Sequence, residues 1–142
     1  LNHLSKLFNL TKEEYLQKTT KTAMIIYGYC LPTFNEDEKK WLAKKVLETV
    51  DSYALGISLL FYINIIKKHI SIELKNDLLN IVKNACHYNV IERAWPFQIV
   101  NLVDRLIKKH NLNNFTNLRP YKMEPIPDTP KNIIEVLDVL NS

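Results

Sequence analysis

The sequence of 142 residues contains little glycine, cysteine or arginine: two, two and three residues respectively. Gly28 and Gly56 lie too far apart to form a glycine-rich phosphate loop. The cysteines, Cys30 and Cys86, are too few for a disulfide framework and belong to no paired-cysteine metal motif, so we expect free thiols in an intracellular protein, cytoplasmic or nuclear. Scarce arginine argues against dedicated base readout, because guanidinium groups bind phosphate and guanine edges better than ammonium groups do.

Long apolar runs are also lacking. The longest lie near residues 23–31 and 54–66, and both are shorter than the roughly 20 residues that a membrane span needs. We therefore expect buried helices and no membrane span. The net charge of +4 is a mild excess that permits contact with nucleic acid without requiring it. Because the chain opens at Leu1, we also expect it to be part of a longer or processed protein.

Helical periodicity extends through most of the chain, and no segment alternates as a strand does. Helix starts are indicated by Thr11 with Glu14, by Asn35 with Glu38, by Ser71 and by Pro96. The first helix is expected over residues 2–10, the second is expected to stop before Pro32, and a turn is expected near residues 52–56. A strongly apolar helix over 55–69 should then lie centrally in the fold.

The expected organisation is one helical domain over 1–110, an extended strap rich in Pro and Asn over 111–128, and a C-terminal helix within 129–142 that packs on the same domain. The segment from Ile65 to His69 resembles the segment from Leu106 to His110, 41 residues later. A period near 40 is typical of HEAT and armadillo repeats. We predict an all-α fold of six to seven helices stacked as antiparallel hairpins, either as such a superhelix or as an irregular bundle.

Catalytic and metal-binding patterns are sparse. None of the four histidines has a zinc-binding spacing, so we expect no metal and no cofactor. The spacing from Arg105 to His110 resembles the RxxxxH signature of HEPN-domain ribonucleases, although Leu106 stands where that family usually has a polar residue. The resemblance implies a compact helical ribonuclease that works as a dimer without a metal, with His110 in acid–base chemistry and Arg105 stabilising the phosphate.

Two sets of residues are candidates for binding. Arg93, Trp95 and Phe97 cluster before the sixth helix and could anchor a protein partner, because Arg and Trp are common in interface hot spots; alternatively, Trp95 fills the core. A lysine rim could follow a nucleic-acid backbone, or simply be a solvated face. The rim consists of Lys39, Lys40, Lys44, Lys45, Lys67, Lys68, Lys108 and Lys109.

The absence of a catalytic constellation favours a non-enzymatic interaction module, the subunit or adaptor of a larger protein assembly. The first alternative is a nucleic-acid-binding helical subunit that uses the lysine rim. The second is the HEPN-like ribonuclease. The sequence leaves the partner and the oligomeric state open.

Overall fold

The computed structural model describes residues 2–112 and 126–141, and within these ranges the chain is helical without any strand. The predicted all-α class is confirmed. Six α-helices follow one another within these ranges: α1 (Asn2–Lys6), α2 (Lys12–Ala23), α3 (Glu36–Ile66), α4 (Ile72–Ala85), α5 (Pro96–Lys109) and α6 (Lys131–Asn141). Most of the expected strap, residues 113–125, lies outside the described residues.

The predicted helix starts are confirmed by their capping geometry. The Thr11 hydroxyl accepts from the Glu14 amide at 3.1 Å, while the Glu14 carboxylate accepts from the Thr11 amide at 2.8 Å. Asn35 and Glu38 form the same reciprocal pair at 2.9 and 2.8 Å. The Ser71 hydroxyl accepts from the backbone of the first turn of α4. Each cap satisfies amides that the helix itself leaves without a partner.

The first two helices differ from prediction at their ends. Helix α1 is shorter than predicted and ends at Lys6, because Asn9 takes a left-handed conformation with a φ of 55° that reverses the chain. After α2 the backbone stays helical, first as a π-helix over Met24–Cys30 and then as a 3-10 helix over Leu31–Thr33 that contains Pro32. A proline near the start of a helix loses no hydrogen bond, so Pro32 does not end the helical path.

The turn predicted near residues 52–56 is wrong, since α3 continues without a break from Glu36 to Ile66. Ser52 is buried, and the small size of Gly56 allows α4 to lie close to α3. A Cβ on Gly56 would collide with the sulfur of Cys86 and lie 2.9 Å from the Cβ of Ala85. Small residues therefore mark a close helix–helix approach here and not a turn.

Helices α3, α4 and α5 form the body of an irregular bundle, in which α3 contacts both of the others. The five-residue connection between α3 and α4, and the contact of Gly56 with the last turn of α4, show that these two helices run antiparallel. Because α3 alone has 31 residues, the 41-residue echo does not correspond to a repeated unit of two antiparallel helices within the described residues. The bundle alternative describes this fold.

Two hydrophobic cores hold the bundle together. The first joins α3, α4 and α5 to α1 and α2, and Tyr15 of α2 donates a hydrogen bond from its hydroxyl to the Cys86 carbonyl at 3.1 Å. The second lies around Trp41, Trp95 and Phe97. Helix α6 packs on the second core through the fully buried Ile133. The described part of the C-terminal segment thus packs against the same body as the other helices.

Candidate interaction surface

The residues predicted as a partner anchor lie in the core. Trp95 and Phe97 are only 3% and 7% exposed, and the Trp95 ring meets the Trp41 ring edge-on at a centroid distance of 5.8 Å. Arg93 is half-buried: its Nε donates to the His87 carbonyl at 3.1 Å. An anchor must be exposed in the free protein, so the structure corrects this assignment for both aromatic rings. The alternative, in which Trp95 fills the core, agrees with the burial.

The lysine rim does not form one free cationic surface. Lys39, Lys44 and Lys108 each lie within 4 Å of a carboxylate of their own helix. Lys109 contacts Asp77 at 2.9 Å and Glu73 at 3.1 Å. Of the eight predicted rim lysines, the three exposed ones that lack a carboxylate partner among the described residues are Lys40, Lys67 and Lys68.

Lys45 is the member of the rim that the structure moves furthest from prediction, because it is buried. Its Nζ lies 4.2 Å from the centre of the Trp95 ring and 5.9 Å from that of Trp41. Burial, helped by the nearby positive charge of Arg93, lowers the pKa of Lys45 to about 8, while Glu48 opposes the shift. A buried ammonium stacked on indole rings is a packing element and cannot contact a nucleic-acid backbone.

Arg105 and His110 come close to the same polar cluster between α4 and α5. His110 Nε2 lies 2.8 Å from the Asp77 carboxylate, which also accepts from Lys109. Hydrogen bonds from His110 and then from Lys109 lower the pKa of Asp77. Arg105, Asp77 and Lys109 line a cavity of about 140 Å³. The predicted pair therefore lies beside a carboxylate that can orient the histidine ring.

An open groove of about 540 Å³ follows α2 into the π-helix. It is lined by Leu16, Met24, Ile25 and Tyr29, with polar groups from Thr20 and Lys21 at its edges. Among the described residues, no three His, Cys, Asp or Glu side chains are grouped so that they could hold a metal ion.

The largest feature that sequence reasoning missed is an exposed apolar surface on α3. Leu47 and Phe61 are 73% and 65% exposed, and their large apolar neighbours on the same side are also open to solvent. The hydroxyl of Ser58 donates to the Ala54 carbonyl, so it adds little polarity. We call this surface the exposed α3 face: Leu47, Val50, Ala54, Leu55, Ile57, Ser58, Phe61, Tyr62, Ile65 and Ile66.

The exposed α3 face corrects the prediction that the helix over 55–69 lies centrally. Only the opposite side of α3, which includes Ser52, Gly56, Leu60 and Ile63, is buried against the bundle. By length and composition alone, α3 is long and apolar enough to cross a membrane, and only 28% of its most apolar window is buried within the protein, so burial in the bundle does not account for its apolar character. The run over 23–31 is also less buried than predicted, since Met24, Tyr27 and Tyr29 are exposed.

The signal for this face was present in the sequence. Leu47, Val50, Ala54, Ile57 and Phe61 follow one another at spacings of three and four residues, which keeps them on one side of a helix. A second apolar series, including Leu60 and Ile63, occupies the other side. A helix that is apolar on both sides has more hydrophobic surface than its own bundle covers.

Comparison with known proteins gives no family to which this chain can be assigned. The chain matches no protein-family model, and neither the curated proteins nor the solved structures give a significant match.

Proposed function

We propose that this chain is a non-enzymatic helical interaction module that binds a protein partner through the exposed α3 face. The observation that supports the proposal is the size of this face. With roughly 100–250 Å² for a large apolar side chain, the exposed fractions correspond to on the order of 800 Å². The largest apolar patch on a typical monomer is about 300–600 Å². Larger patches mark surfaces that another molecule covers.

The pattern of the face favours a helical protein partner over lipid. Alternating spacings of three and four residues, as from Leu47 to Phe61, are typical of a helix side that packs against another helix. Helices α4 and α5 lie alongside α3 and carry exposed charges, among them Glu73, Lys83 and Asp104. If α3 crossed a bilayer, these charges would enter the hydrocarbon, where each costs several kcal/mol.

Photo-crosslinking in cells tests this proposal. The photoreactive amino acid p-benzoylphenylalanine replaces Phe61, or Asn76 on α4 as a matched exposed control. We expect position 61 to give discrete protein adducts and position 76 to give none. Adducts to lipid at position 61, or identical labelling at both positions, would contradict the proposal.

The Asp77–His110 pair supports a second candidate, a ribonuclease. His110, oriented by Asp77, would take the proton of an RNA 2′-hydroxyl as that oxygen attacks phosphorus. The bond to the 5′-oxygen then breaks and that oxygen takes a proton from water, which leaves a 2′,3′-cyclic phosphate and a 5′-hydroxyl. Arg105, on the neighbouring cavity wall, would stabilise the negative charge on the phosphate.

Incubation with single-stranded RNA tests the second candidate. If this chain is a ribonuclease, the wild type cleaves the RNA to products with cyclic-phosphate ends. His110→Ala should abolish this cleavage, whereas the control variant His69→Ala should still cleave. Intact RNA, or equal cleavage by His110→Ala, would exclude it. Binding without cleavage that weakens from about 50 to 200 mM salt would instead support nucleic-acid binding through Lys40, Lys67 and Lys68, the exposed rim lysines that have no carboxylate partner among the described residues.

A further inference from the structure

We infer that the partner covering the exposed α3 face is a second copy of this chain, with the two α3 helices packed antiparallel. The two-fold axis that relates them crosses the helix pair at a height midway between residues 59 and 60. This inference rests on the proposed function and deepens it by naming the partner. It follows from three properties of the face: its area, the position of its two small residues relative to two large ones, and two exposed charges at its ends that have no ion pair among the described residues.

The area fits a dimer of this size. A stable protein interface buries about 800 Å² on each partner, which is also the order of the apolar area that the exposed α3 face presents. A symmetric dimer uses the same patch on both copies, so one self-complementary face is sufficient. Because α4 and α5 pack against the opposite side of α3, the two bundles would lie on opposite sides of the helix pair.

Two pairs of side chains on the face combine a small residue with a large one in this register. In an antiparallel pair with its axis between residues 59 and 60, each residue faces the partner residue whose number makes a sum of 119. Ala54 then faces the partner's Ile65, and Ser58 faces the partner's Phe61. Small residues opposite large ones allow two helices to interdigitate at native packing density.

The charges at the two ends of the face agree with the same register. Asp51 is exposed on α3 and has no ion pair among the residues that the structure describes. Lys68, just beyond the end of α3, is likewise exposed and unpaired. Their numbers also sum to 119, so each Asp51 would lie beside the partner's Lys68. The dimer would therefore have two complementary pairs at its edges, which fix register more than they add affinity.

Charge reversal provides the test. Asp51→Lys places lysine at both positions, and Lys68→Asp places aspartate at both. Each variant alone should dimerise at least about tenfold more weakly than the wild type, because both edge pairs become repulsive. An equimolar mixture should regain the wild-type affinity within about threefold, because the heterodimer contains two opposite-charge pairs. Sedimentation equilibrium on the full chain, whose monomer mass is 16.7 kDa, measures these constants.

The matched controls are Glu13→Lys and Lys83→Asp, two exposed charge reversals outside the face, which should leave the dimer constant unchanged. Circular dichroism verifies that every variant is folded. Phe61→Glu provides an independent test and should raise the dissociation constant by about 100-fold or more.

Wild-type protein that stays monomeric at about 100 µM would overturn the inference, since interfaces of this area usually bind more tightly. A dimer whose mixed charge variants do not recover would overturn the antiparallel register. If the chain is monomeric while position 61 crosslinks to a different protein, the proposed function stands and only the self-association fails. Flotation with neutral phosphatidylcholine vesicles that Phe61→Glu abolishes, with no dimer in solution, would assign the face to lipid and overturn both.

Discussion

Replacing Lys45 by methionine should stabilise the protein at neutral pH. The side chain is 3% exposed and rests on the rings of Trp41 and Trp95. Among the described residues its Nζ has no carboxylate within 4 Å. Methionine has a similar length, fills the same space, and makes favourable sulfur–aromatic contacts.

The magnitude follows from the pKa. Burial and Arg93 lower the pKa of Lys45 from 10.5 to about 8. At 1.36 kcal/mol per pKa unit, the charged form costs about 3 kcal/mol in the folded state. Contact of the cation with two indole rings offsets about 1–2 kcal/mol of that cost. We therefore expect Lys45→Met to raise the free energy of unfolding by about 1–2 kcal/mol at pH 7.

The same shift predicts how this difference changes with pH. Below the folded pKa of about 8, Lys45 is protonated in both states and the full cost is present. As the pH rises from there toward 10.5, the folded state loses its proton while the unfolded state keeps it, so the unfolded state binds more protons. Wild-type stability therefore rises relative to Lys45→Met, and the advantage of methionine shrinks.

Urea unfolding of the wild type and of Lys45→Met at pH 7 and pH 9.5 measures the difference in their free energies of unfolding. The contributions of the other titrating groups cancel in this difference, because both proteins contain them. The control is Lys44→Met, whose side chain is about half-exposed; it should change stability by less than about 0.5 kcal/mol at either pH. A Lys45→Met protein that is less stable than wild type at pH 7, or a difference that is equal at both pH values, would refute the reasoning.

Three further predictions concern close packing and acid stability. Gly56→Ala should destabilise the protein by about 2–4 kcal/mol in urea unfolding, because its Cβ would collide with Cys86 and Ala85 where α4 lies against α3. Gly28→Ala, with no atom within 4 Å of the added Cβ, should stabilise by up to about 1 kcal/mol, and a loss of stability there would contradict the packing argument. The lowered pKa of Asp77 means that its contribution to stability is present near neutral pH and is lost as the pH falls through that pKa. Asp77→Asn should therefore reduce stability at pH 7 and weaken the loss of stability on acidification, which thermal melts over a series of acid pH values measure. A melting temperature that falls with pH equally in both proteins would argue against a stabilising contact of Asp77 with Lys109 and His110.

Local signals predicted the helix starts because capping depends on residues three positions apart. Thr11 with Glu14, and Asn35 with Glu38, satisfy the first amides of their helices whatever the rest of the chain does. Pro96 sits at the first position of α5 for the same local reason. These elements could therefore be placed without knowledge of the tertiary structure.

Tertiary contacts decided the elements that were predicted wrongly. Gly56 favours a turn in isolation, but here it allows α4 to approach α3. Lys45 belongs to a lysine-rich segment that predicts a solvated face, yet its long side chain packs on indole rings that come from α3 and from the loop before α5. Which helix lies beside a residue is a long-range property, and local spacing does not contain it.

The second half of α3 shows why the apolar pattern alone misplaced the main candidate surface. Hydrophobic residues on all sides of a helix predict that every side is covered by other protein groups. The sequence pattern is the same whether those groups belong to the same chain or to another molecule. In this bundle Leu60 and Ile63 are covered by the chain, whereas Phe61 and Ile65 are open. The exposed α3 face is the part of this apolar helix surface that the chain's own bundle leaves uncovered. A second antiparallel α3, with Asp51 beside the partner's Lys68, would supply the missing cover.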